Sequence, residues 1–247
     1  MIPIPPAQPI PDGELIAAAD LGSNSFHLVV ARYAHGELRV IDRLRENVRL
    51  AVGLRSGGTL TRERREMAFA CLARFGQRLA GFQNSRVRTV ATNAVRQLAH
   101  PQAFLLPAET ALGHPIEIVS GREEARLIYL GVAHGLPLTD DKRLVVDIGG
   151  GSTEFIIGRG FDALERESLQ MGCIASTLRF FPDGKITRKR WQAGQTEIEV
   201  ELQQFAQDYR ARGWSETVGS SGTARAIGTV CAHLSGGDEH ITPAALD

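Results

Sequence analysis

The sequence predicts an α/β protein whose two related halves face each other across a cleft. Two stretches carry that expectation. Residues 144–158 read Leu-Val-Val-Asp-Ile-Gly-Gly-Gly-Ser-Thr-Glu-Phe-Ile-Ile-Gly: a branched apolar run ending at Asp147, three glycines, two hydroxyls, a carboxylate and a second apolar run. β-Branched residues flanking a glycine cluster read as strand, tight turn, strand. Residues 16–33 repeat the pattern, with small or apolar residues leading to Asp20, then Gly22 among hydroxyl and amide neighbours, then a second strand. One such turn occurs in ordinary hairpins. Two copies of strand, Asp-x-Gly, strand, set half the chain apart, specify far more.

The glycines at 149–151 allow φ > 0 and let an anion approach main-chain N–H groups closely. Asp147 and Glu154 sit at the two edges of that turn and are hard oxygen donors suited to a divalent cation. The central turn therefore reads as a phosphate-and-metal turn.

Composition sets broad bounds. A chain of 247 residues can bury a sizeable core and hold one large or two small domains. The 28 Lys and Arg balance the 28 Asp and Glu, so no global charge pulls the chain toward nucleic acid or a membrane surface. Cys71, Cys173 and Cys231 are too few and too scattered for a disulfide framework or a zinc site, which fits a reducing cytoplasm. The proline-rich start lacks the basic and apolar regions of a signal peptide, and residues 1–13 are expected to form a flexible lead-in. No uncharged apolar run reaches the length that spans a bilayer.

Taken in order, residues 15–33 form a hairpin and 37–49 a third strand, on which Arg43, Arg45 and Arg49 would share a face able to meet an anion. Residues 53–58 read as a loop. Thr61 caps an amphipathic helix running to about Leu79. A short strand at 87–91 leads into a helix start at Thr92 to Arg96, where unpaired N–H groups and the Arg96 guanidinium could hold one anion. A helix follows Pro101, and another strand spans 116–119. Ser120 then caps a further helix, with Glu123 in the capping-box position. Capping explains Glu123 and leaves Glu124 free for chemistry. Residues 131–141 read as the link into the second half.

Beyond the central turn, residues 167–169 extend another strand, and Met171-Gly172-Cys173 leads into a helix to about Phe180. Residues 188–212 form a long polar surface helix. Residues 217–222 end a strand with two glycines before a helix at 223–234, so Gly219, Ser220, Ser221 and Gly222 would make a third backbone approach to ligand. Thr242-Pro243 is a further helix-start signal, and the chain is expected to be incomplete at its C-terminal end.

Three long motifs and two short ones then resemble one family. They are residues 19–25 (Ala-Asp-Leu-Gly-Ser-Asn-Ser), residues 118–127 (Ile-Val-Ser-Gly-Arg-Glu-Glu-Ala-Arg-Leu) and residues 146–154 (Val-Asp-Ile-Gly-Gly-Gly-Ser-Thr-Glu), with Gly172-Cys173 and residues 219–223. Together they resemble the exopolyphosphatase / guanosine pentaphosphate phosphohydrolase family, closer to the exopolyphosphatase branch. The resemblance covers residues 14–247. It implies the actin-like ATPase (ribonuclease H-like) fold, with mixed sheets flanked by helices in two domains, residues 14–135 and 136–247, around a phosphate-binding cleft. It implies Mg²⁺-dependent (or Mn²⁺-dependent) release of orthophosphate from inorganic polyphosphate or guanosine pentaphosphate.

Carried over by position, the first phosphate loop is Asp20 to Ser25, including Gly22, Ser23 and Asn24. The second is Asp147 to Thr153, including Gly149, Gly150, Gly151 and Ser152. Asp147 and Glu154 are the implied metal carboxylates, Glu124 the general base and Arg96 an anchor for the phosphate chain. A homodimer would form through the C-terminal region that family members add. Two other readings compete: a sugar kinase or chaperone-type ATPase using the same loops, and a non-catalytic sensor of polyphosphate or guanosine alarmones.

Overall fold

The computed structural model describes residues 10–235 and 240–242. Residues 1–9 of the expected lead-in at 1–13, and the expected helix start from 243 onward, lie outside the described residues, while Gly13 N donates to Tyr33 O and Asp12 accepts from His35 N. The chain order is β1 (Leu15–Leu21), β2 (Phe26–Ala34), β3 (Glu37–Glu46), α1 (Leu50–Gly53), β4 (Leu54–Arg55), β5 (Thr59–Leu60), α2 (Arg62–Arg78), a 3₁₀ turn (Asn84–Arg86), β6 (Val87–Ala91), α3 (Asn93–Arg96), α4 (Pro101–Leu112), β7 (Glu117–Ile118) and α5 (Gly121–Gly135). It continues with β8 (Arg143–Ile148), β9 (Thr153–Arg159), β10 (Asp162–Leu169), α6 (Cys173–Phe180), α7 (Arg188–Arg212), β11 (Glu216–Ser220) and α8 (Ser221–Ser235).

The repeated turn seen in the sequence is a repeated topology. One sheet runs β3-β2-β1-β6-β7 and the other β10-β9-β8-β11. In each, an antiparallel meander is followed by a strand that pairs parallel to the meander's first strand: β6 with β1, and β11 with β8. Parallel pairing needs a crossover through other elements, which is why helices sit between these strands in the chain.

Strand alternation decides where chemistry can be placed. On β1 and β2, Ala17, Ala19, Leu21, Phe26, Leu28 and Val30 turn to one face and pack with Leu72 and Phe75 of α2 and Phe104 and Ala108 of α4. The opposite face carries Asp20, His27 and Arg45, which are directly paired across β1, β2 and β3. The second sheet is covered on both sides. Val145 and Ile156 pack against Ala125 and Tyr129 of α5, and Leu144 and Ile157 against Tyr209 of α7. Asp147 and Glu154 share the α5 face by the same period of two. Gly158 lets the Tyr129 ring lie against β9, since a Cβ there would sit 2.1 Å from Tyr129 Cζ.

Four details differ from the sequence reading. Residues 131–135 continue α5, because Gly131 has open space around it and helical neighbours on both sides, so the link is shorter. The expected loop at 53–58 holds the end of α1 and β4, which pairs with β5 just beyond it in a two-stranded hairpin. Arg49 falls beyond β3, at φ 54 before α1, so it does not share a strand face with Arg43 and Arg45. The helix expected from Thr223 starts two residues earlier: β11 ends at Ser220 and α8 begins at Ser221, which adopts the left-handed φ of 73.

Candidate active site

The two glycine-containing turns meet. A Cβ at Gly151 would lie 2.7 Å from Ser23 Oγ and 3.4 Å from Asn93 Cγ, and one at Gly150 would lie 3.2 Å from Asn24 Cβ. Side chains at either position would push the halves apart at this junction. Helix α6 holds the second turn from behind. Cys173 N donates to Gly149 O, and Ile174 N and Ala175 N donate to Gly150 O, all at 2.9–3.0 Å. The first N–H groups of a helix have no partner within it; here the turn carbonyls accept from them. Gly172 makes this approach feasible, because a Cβ there would fall within 2.6 Å of three backbone atoms of residues 149–151.

A cavity of about 750 Å³ opens at this junction. Its walls include Gly22, Ser23, Asn24 and Ser25 from the first turn and Gly149, Gly150, Gly151 and Ser152 from the second. Four carboxylates line it: Asp20 from β1, Glu124 from the first turn of α5, Asp147 from β8 and Glu154 from β9.

Burial raises the pKa of all four, and repulsion from neighbouring carboxylates adds to it for Asp20, Glu124 and Glu154. Asp20 is pushed up to about 7, by burial first and then by Glu124 and Asp147. Its Oδ1 is buried and has no hydrogen-bond partner. Glu154, only 1% exposed, is pushed up to about 8 by burial and by the Glu124 charge, although Ser168 donates to its Oε1 at 2.8 Å. Asp147 is raised by burial and held back by hydrogen bonds from Ser220 and Ser221. Glu124 is raised by burial against the opposing effect of Arg96.

The expected site residues are therefore largely brought together, with exceptions. Arg96 is not on the cavity wall; its Nη1 bonds Glu124 Oε2 at 2.7 Å and Val119 O at 2.9 Å. The reason is local: α3 is a single turn, and it aims Arg96 at the nearest carboxylate on α5. Thr153 donates to Met171 O and does not line the cavity. Of the third approach, Ser221 and Gly222 line the cavity while Gly219 and Ser220 do not. Among the described residues, no three His, Cys, Asp or Glu side chains form a ready-made metal cluster.

Sequence reasoning gave no role to His27 and did not single out Arg225, and both also line the cavity. Asp20 it named only within the first loop. Its individual importance had a signal, since Asp20 stands in the first hairpin where Asp147 stands in the second. No comparable signal marks Arg225.

Comparison with known proteins agrees with this geometry. The profile of the Ppx/GppA phosphatase family matches residues 29–247. A Haemophilus influenzae protein named "Putative exopolyphosphatase" is 42% identical over 217 residues, covering 88% of this chain and 67% of that protein. A Vibrio vulnificus guanosine-5'-triphosphate,3'-diphosphate pyrophosphatase is 40% identical over 232 residues, covering 94% of this chain but 46% of that protein. A Cytophaga hutchinsonii exopolyphosphatase crystal structure aligns at TM-score 0.81 with 25% identity, over 93% of this chain and 73% of that one. The paired mixed sheets with flanking helices are the actin-like ATPase fold. Among the described residues no helix is long and apolar enough to cross a membrane. With its two abutting turns, its four cavity carboxylates and the match over nearly its whole length, the chain belongs to the Ppx/GppA phosphatase family.

Proposed function

We propose that the chain carries the catalytic cleft of an exopolyphosphatase, a hydrolase that removes terminal orthophosphate from inorganic polyphosphate with a divalent metal. The single observation that supports it best is the junction of two glycine turns beside four carboxylates in one cavity. Residues 14–135 and 136–247 each bring one turn, while α5, late in the first segment, packs on the second sheet and carries Glu124 to the cleft.

Phosphoryl transfer asks the protein for positioning and for neutralisation of charge on the transferred group. The turns at 22–25 and 149–152 offer backbone N–H groups and hydroxyls to the terminal phosphate. Glu124 takes the proton from a water whose oxygen attacks the terminal phosphorus. The bridging P–O bond breaks, orthophosphate leaves, and the chain is shorter by one phosphate. A carboxylate base with its pKa raised toward neutrality suits this role.

The donor set fits a hard cation: Asp147 and Glu154 would hold it, with the unpartnered Asp20 Oδ1 a further oxygen at hand. Bound there, Mg²⁺ or Mn²⁺ would relieve the repulsion among the carboxylates and polarise the phosphoryl oxygens. Arg96 joins the substrate only by exchanging Glu124 for a phosphate oxygen. Three cysteines, too few and too scattered for a disulfide framework, fit action in the cytoplasm.

The 40% identity to a guanosine-5'-triphosphate,3'-diphosphate pyrophosphatase supports a second reading, hydrolysis of guanosine pentaphosphate. Orthophosphate release with Mg²⁺ from long-chain polyphosphate, guanosine pentaphosphate and ATP, measured side by side, separates these readings. Preference for polyphosphate supports the first and preference for the pentaphosphate the second. ATP preferred over both would contradict each.

A further inference from the structure

The carboxylates are only part of the cavity wall. Cations line it too. Arg45 from β3 and Arg225 from α8 both line the cavity, one from each sheet's neighbourhood. Both side chains are exposed, and among the described residues neither guanidinium has a carboxylate partner. Several other exposed arginines do have one: Arg74 with Glu46, Arg122 with Glu167, and Arg212 with Glu165. An unpaired guanidinium facing a cavity is available to an anionic ligand.

His27 lines the same cavity. It pairs with Arg45 across β2 and β3 and with Asp20 across β1 and β2. Ser25, in the first turn, meets its Nε2 at 2.9 Å. Arg45 and Arg225 together hold the His27 pKa below its usual range, after burial, so both guanidinium groups project their charge onto the same spot.

Distance separates the Arg45 backbone from Asp20. Adjacent strands lie about 4.8 Å apart, so Arg45 stands two spacings, about 10 Å, from Asp20 along the same sheet face. A guanidinium at that remove serves a phosphate other than the one being released.

We infer that Arg45, His27 and Arg225 form an anion subsite for a second, non-reacting phosphate group of the substrate. The inference rests on the phosphohydrolase reading for the word substrate, and the turn at 22–25 would bridge the two positions. The shared chemistry is a distal phosphate. It comes either from the next units of a polyphosphate chain or from the second phosphate arm of a guanosine pentaphosphate. Substrate choice in this cleft is then set partly by the reach of the ligand to these two arginines.

The test is equilibrium binding in a Glu124→Ala background, which prevents turnover, with Arg45→Gln and Arg225→Gln added singly and together. Two ligand pairs are compared: long-chain polyphosphate against pyrophosphate, and guanosine pentaphosphate against GTP. Losing one charge-assisted contact weakens binding about tenfold. At least one long-to-short affinity ratio should therefore fall fivefold or more, with partial recovery in Arg45→Lys. A fall confined to the first pair assigns the subsite to the polyphosphate chain, and a fall confined to the second assigns it to the nucleotide's second arm. Equal weakening within both pairs, or no weakening, would overturn the inference. Orthophosphate release by the unmodified protein is measured alongside. Selective binding without any release would sink the hydrolase reading and leave the subsite standing.

Discussion

Arg96 Nη1 lies 2.7 Å from Glu124 Oε2, and the two side chains are only 16% and 15% exposed. This buried ion pair ties the single turn of α3 to the first turn of α5. It also sets the basicity of the carboxylate that faces the cavity: burial raises the Glu124 pKa and Arg96 restrains the rise.

Replacing Arg96 with Gln removes the restraint. Glu124 must be ionised to accept a proton, and its pKa would climb further without the neighbouring cation. The acid limb of the profile of kcat/KM against pH should therefore move to higher pH. A limb left where it was would mean that Glu124 is not the titrating base.

Gly172 and Gly131 test the backbone geometry in opposite directions. A Cβ at position 172 meets backbone atoms of the central turn at 2.5–2.6 Å, which cannot move aside cheaply. Gly172→Ala should lower stability by about 1–3 kcal/mol, the usual cost of overpacking, and disturb the cleft. A Cβ at Gly131, inside α5, meets nothing within 4 Å. Gly131→Ala should raise stability by about 0.4–1 kcal/mol. Urea unfolding of the two variants measures both.

Ser221 sits at φ 73, a conformation that costs a residue with a Cβ about 1–2 kcal/mol. Ser221→Gly should recover about that much in thermal or urea unfolding. The same change removes one hydrogen bond to Asp147, whose pKa should then rise. A stabilised variant with weakened metal affinity at neutral pH is the expected combination.

The raised carboxylates make stability depend on pH with a definite sign. Asp20 and Glu154 hold protons up to about 7 and 8 in the folded state but release them near 4 when unfolded. Between those limits the folded state binds more protons, so stability falls as pH rises from about 4 to about 8. The melting temperature of protein in chelator should drop across that window. Excess Mg²⁺ should restore it most at the alkaline end, where the cation no longer competes with protons.

The sequence made some features legible because they are local. Two hairpins with an Asp before a glycine turn, and caps at Thr61 and Ser120, depend on neighbours within a few residues, and both caps form as expected. The α7 limits were equally readable from a long polar helical pattern. The Arg96–Glu124 pair was not readable, because it joins residues 28 apart through the packing of α3 against α5. Nor was the convergence of Arg45 and Arg225 on His27, which needs both sheets in place. At the third approach the order of strand and helix was readable, but not that a serine, and neither Gly219 nor Gly222, takes the left-handed conformation.

The central claim is that Glu124 is the base of a phosphohydrolase. The most direct test measures orthophosphate release and polyphosphate binding by Glu124→Ala against the unmodified protein, both with Mg²⁺. The account predicts that release falls by about 10²-fold or more, as for loss of a general base, while polyphosphate binding is largely kept. Unchanged turnover in the variant would remove Glu124 from the mechanism and contradict the account.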